Sequence, residues 1–85
     1  MEKNLKSIVL LLTTQAMINL GEIDDPVLQK KNINLEGSNL FISLIKVLKE
    51  KTVGNLSEGE ELFITEVIDN LKKIYESKRQ VESEK

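Results

Sequence analysis

The chain has 85 residues, 40% of them hydrophobic and 31% charged, with a net charge of −2. A length this small holds one domain and buries only about 60–65% of the unfolded surface, so self-association is a natural source of extra stability. Cysteine and histidine are both absent, which excludes disulfides, thiolate nucleophiles and thiolate or imidazole metal ligands and removes the commonest general base. The acidic balance supplies no field to hold a polyanion, so nucleic acid is not expected as a partner.

Residues 3 to 20 read as a first helix. Lys3 and Lys6 ahead of Ile8 to Leu12 resemble the opening of a secretion signal, but Thr13, Thr14, Gln15 and Asn19 interrupt the run and no small-residue cleavage site follows. The run is also shorter than the ~20 residues of a membrane span, and a cytoplasmic protein is expected. Leu5, Val9, Leu12 and Ala16 make one stripe, Ile8, Leu11, Gln15 and Ile18 a second, and Leu10 and Met17 lie on a third side. A helix apolar nearly all round wants partners on more than one face. Thr13 and Thr14 are expected to bond back to carbonyls one turn earlier, and Gln15 to pair across an interface or point to water. Gly21 is the natural residue to end the helix in left-handed geometry.

Residues 22 to 33 are a connection, because Asp25 precedes Pro26 and is pushed out of the helical region. Glu22, Asp24 and Asp25 gather three carboxylates, too few for a hard cation that takes six to eight oxygens, so a solvated turn is expected there. Asn34 fits the N-cap of a second helix over 35 to 53, with Glu36 favourable in its first turn. That helix carries Leu40, Leu44, Val47 and Lys51 on one line and Phe41, Ile45 and Leu48 on the next. Gly37 weakens its first turn by about 0.5–1 kcal/mol relative to alanine, and Gly54 stops it.

The sharpest local signal is Ser57-Glu58-Gly59-Glu60, a capping box that opens a third helix over 58 to 76. Phe63, Ile64, Val67, Ile68, Leu71, Ile74 and Tyr75 recur along it at helical spacing. Lys72, Lys73, Lys78 and Arg79 suit the negative end of the helix dipole rather than a binding patch. Apolar positions then fade, so residues 77 to 85 read as a fraying or disordered tail. Together these elements predict an all-α protein, a small three-helix bundle in one domain over 1 to 76, completed by dimerisation.

The segments "TQAMINLGEIDDP", "INLEG", "EKTVGNLSEGEELF" and "LKKIYE" resemble a family of small bacterial proteins known only as a domain of unknown function, number 1844. The resemblance runs from about Leu12 to Tyr75 with the elements in the same order. Gly37 and Ser38 depart from it where better helix formers are expected, Asn19 stands where a histidine is common, and Lys72 replaces a frequent arginine. What the resemblance implies is a small helical bacterial protein with no known activity, so no catalytic or binding residue carries over.

Nothing in the chain assembles an enzyme. Ser57 matches a cap and has no histidine to activate it, and the glycines form no phosphate-binding motif. No catalytic, metal-binding or cofactor-binding residue is assigned, and no cofactor is expected. The informative feature is the first helix, because Leu10 and Met17 left exposed with their neighbours form a patch that soluble monomers avoid. Val9, Leu10, Thr13, Met17 and Leu20 are the expected self-association face, in a two-fold dimer of first helices. The expected function is a non-enzymatic, homo-oligomeric helical scaffold that presents a surface to another cytoplasmic protein. The alternative is a binder of a small hydrophobic ligand or lipid in an apolar slot between helices. A peripheral membrane role ranks last, given the acidic balance.

Overall fold

A computed structural model of the chain describes residues 4–83. It contains three helices, α1 (Leu5–Asn19), α2 (Leu35–Lys51) and α3 (Glu58–Ser83). Among the described residues no strand forms; the only extended pairings are isolated bridges. The all-α three-helix architecture expected from the periodicity is therefore observed. The expected start of the first helix near residue 3 lies outside the described residues, as do residues 84 and 85 of the expected tail.

Each helix begins and ends for a local reason. Asn4 caps α1, its Oδ1 accepting from the Ser7 amide at 3.0 Å, and Asn34 caps α2 by accepting from the Gly37 amide at 3.0 Å. The capping box of α3 is complete in both directions. The Glu60 amide donates to Ser57 Oγ at 3.2 Å, and the Ser57 amide donates to Glu60 Oε1 at 2.9 Å. At the end of α1, Gly21 takes a φ of 78°. Its amide donates to the Ile18 carbonyl at 3.1 Å, and the Glu22 amide reaches Met17 O at 3.0 Å. Those two bonds define a Schellman ending.

The connection between α1 and α2 is more ordered than a solvated turn. Leu20 pairs with Ile33 and Asp25 with Lys30 in antiparallel bridges, so residues 20–34 form a closed arm. Asp25 Oδ1 accepts from the amides of Val27 (2.8 Å) and Leu28 (3.2 Å), and Gln29 completes the turn at a φ of 55°. The Asn34 amide donates to the Asn19 carbonyl at 2.7 Å, which returns the chain beside its point of departure and sets α2 antiparallel to α1.

α2 is the central helix; it packs against both others, and α1 meets α3 less extensively. α1 and α3 run parallel, as contacts at both ends show. Lys6 Nζ lies 5.6 Å from the centre of the Phe63 ring near their starts, and Glu22 pairs with Lys78 at 3.2 Å near the far end. The core is aliphatic: Val9, Ala16, Leu20, Ile42, Ile45, Ile64, Ile68 and Leu71 are buried. The aromatic residues Phe41, Phe63 and Tyr75 pack at its margin. The one buried polar residue among the described residues, Ser38, is satisfied by donating to the Leu35 carbonyl at 2.8 Å.

α3 continues to Ser83, past the end expected near 76. Its residues there are good helix formers, and no glycine or proline stops it. At 1.5 Å per residue α3 is about 39 Å long, against about 22 and 25 Å for α1 and α2, so its last turns overhang the bundle. The Cα extents of 43 × 26 × 16 Å and radius of gyration of 13.7 Å exceed the roughly 12 Å of a globular chain this long. The molecule is a thin, elongated slab, and a slab hides less than a sphere.

Candidate interaction surface

The sides of α1 are now resolved. Val9 and Leu20, two of the five residues expected on a self-association face, are wholly buried in the core of the single chain. They are not available to a second copy. Met17 packs partly buried against the core, and Thr13 is half-buried, its hydroxyl donating to the Val9 carbonyl at 2.7 Å. Leu10 alone of the five is exposed, at 47%. An apolar period on every side of a helix says that it will be covered but not from which direction, and α2 and α3 cover the side of Val9, Ala16 and Leu20. Thr14 also bonds back, to the Leu10 carbonyl at 2.8 Å, and Gln15 is exposed.

What faces outward on α1 is the second stripe, with Ile8 at 50% and Leu11 at 59% exposed and Gln15 beside them. On α2 the outward line is Leu40, Leu44 and Val47, each more than two-fifths exposed. The two lines are neighbours. Asn19 lies against Gly37, where an added Cβ would sit 3.0 Å from the Asn19 amide nitrogen. Counting away from that antiparallel pairing at equal rise brings Leu11 level with Ile45 and Ile8 level with Leu48, within one residue's rise of Leu44 and Val47. The other flank of α2 faces α3, because Ser43, Lys46 and Lys49 line the groove between those helices, and Val47 stands at the rim of that groove. Leu40 and Leu44 therefore border α1.

The resulting face is apolar and uncharged across its middle. No ionisable residue occurs between Lys6 and Glu22, in a chain that is 31% charged. The only charges on the α2 line stand at its ends, Glu36 and Lys51, both exposed. The sequence pointed to α1 but named Val9, Leu10, Thr13, Met17 and Leu20, a different side from Ile8 and Leu11, and did not single out the α2 line. The signal was present, since α2 carries two adjacent apolar lines and a bundle this thin buries only one of them.

The other candidate clusters are engaged locally. Glu22 is paired with Lys78, and Asp25 holds the turn of the arm. Among the described residues no group of three or more acidic side chains is placed to hold a metal ion. Ser57 serves the capping box. Of the basic residues on α3, Arg79 pairs with Glu76 at 3.4 Å, and Lys72 stands beside Asp69 at the α2–α3 groove. That groove has a volume of about 610 Å³ and is open to solvent, with Val47, Val53 and Ile68 lining it among the charged Lys46, Lys49, Glu50, Asp69 and Lys72. No helix among the described residues is long and apolar enough to cross a membrane.

A small all-α protein with a three-helix slab and one broad uncharged face is the class that fold and surface define. A family model described as Domain of unknown function (DUF1844) matches residues 2–77, and the chain belongs to that family. No curated protein and no solved structure matches the chain.

Proposed function

We propose that this protein is a non-enzymatic helical interaction module of the cytoplasm that self-associates through the outer face of α1 and α2. The observation that carries the reading is the pair of adjacent exposed lines, Ile8 and Leu11 on α1 and Leu40, Leu44 and Val47 on α2. Contiguous apolar patches of that kind mark interaction sites on soluble proteins.

The surface area supports a second copy as the occupant. The chain exposes 6052 Å², where a monomeric protein of its mass exposes about 5,100 Å². The surplus of about 900 Å², part of it from the overhanging end of α3, is close to the roughly 800 Å² that each partner contributes to a standard interface. In the dimer the remaining outer surfaces, chiefly those of α3, are left to present the module to another protein.

Sedimentation equilibrium over a wide concentration range tests the reading. The wild-type chain is expected to fit a monomer–dimer equilibrium, and Leu11→Glu to shift it strongly to monomer while leaving the helical circular dichroism unchanged. A wild-type chain that stays monomeric at every concentration sinks the proposal. The runner-up, an apolar slot for a hydrophobic ligand, predicts instead that a solvatochromic dye binds the purified chain and brightens.

A further inference from the structure

Resting on that self-association, we infer that the second copy packs antiparallel on α2, about a two-fold axis passing beside Leu44. The outward line of α2 reads Glu36, Leu40, Leu44, Val47, Lys51, with an acid at one end, a base at the other and three apolar residues between. Reversed, the line matches itself. The point midway between Glu36 and Lys51 is also midway between Leu40 and Val47, and Leu44 lies next to it. A two-fold axis there sets Leu40 against the partner's Val47, Glu36 against the partner's Lys51, and Leu44 against its own copy.

Charge decides between the two directions. A parallel pairing keeps the apolar contacts but places Glu36 on Glu36 and Lys51 on Lys51, and like charges juxtaposed at an interface are costly. The antiparallel pairing forms two equivalent opposite-charge contacts, as a self-complementary isologous interface requires. Neither Glu36 nor Lys51 makes an ion pair with a described residue of its own chain, so both are available. α1 contributes apolar flank through Ile8 and Leu11, but its outward line carries no charge from Ser7 onward to set a direction. The orientation therefore resides in α2.

The absence of cysteine makes the geometry directly testable. Under mild air oxidation, Leu44→Cys is expected to give a disulfide-linked dimer. Glu36→Cys alone gives none, whereas a mixture of Glu36→Cys and Lys51→Cys chains gives the mixed species. Independently, Glu36→Lys or Lys51→Glu should each raise the dimer dissociation constant about tenfold at low salt, since two contacts reverse per dimer. The double variant E36K/K51E restores it. If the wild-type chain dimerises but Leu44→Cys does not cross-link and the double variant is as weak as its parents, the two-fold pairing on α2 is wrong and self-association stands. A monomeric wild type overturns both.

Discussion

Gly21 is the residue whose replacement the backbone tolerates least. It sits at a φ of 78°, and a Cβ built there would lie 2.8 Å from Ile33 Cγ1, at the bridge that closes the arm. Gly21→Ala therefore meets a left-handed penalty and a clash together, and is expected to cost about 1–3 kcal/mol. Gly59 is the contrast: it lies in the first turn of α3 with nothing within 4 Å of an added Cβ. Gly59→Ala should stabilise by up to about 1 kcal/mol. Urea denaturation of the two variants beside the parent separates these signs, and equal effects would discredit the backbone argument. Ser57→Ala removes one arm of the capping box and should cost about 1 kcal/mol in the same assay. These positions were legible in the sequence because caps and glycine stops are written within four or five consecutive residues. Asn34, Ser57, Glu60 and Gly21 all do what their local context predicts. Gly37 was only half legible. Its helix penalty is local, but the room it leaves for the Asn19 side chain depends on a contact made across the bundle.

Among the elements, α3 divides into a packed part and an overhang. Leu71 is its last fully buried residue, and Ile74 and Tyr75 are the last that pack against the core. Beyond them, among the described residues, the pair of Lys78 with Glu22 ties the helix to the rest of the bundle, and its side chains are 28% and 37% exposed, so it contributes little. Deleting everything after Lys78 should change the unfolding free energy by less than about 0.5 kcal/mol. A larger loss in thermal denaturation would mean that the overhang packs on something. Neither the extent of α3 nor the arm over 20–34 could be read from the sequence, for opposite reasons. α3 ends without a stop signal, so the fading of apolar residues looked like the end of the helix. The arm is closed by Leu20 meeting Ile33, a pairing that no local pattern announces.

For the whole molecule, the same problem governed the exposed apolar face. Composition and period established that α1 is apolar on all sides. Only the positions of α2 and α3 settle that Val9 and Leu20 point inward while Ile8 and Leu11 point out. The thinness of the slab then leaves a second apolar line uncovered on α2. If two copies share these surfaces, folding and association are linked, and the melting temperature must rise with protein concentration. A hundredfold concentration range in scanning calorimetry should show an upward shift of several degrees for the parent chain and none for Leu11→Glu. An unchanged melting temperature in the parent would tell against coupled assembly.

The chain holds one tyrosine and no tryptophan, and Tyr75 stands where α3 leaves the bundle. Its fluorescence therefore comes from a single known place, so the protein carries an optical gauge for the docking of that helix end. Quenching by a small solute such as acrylamide reads how often the junction opens to solvent. Anything that pries α3 away from α2 is visible there without a label.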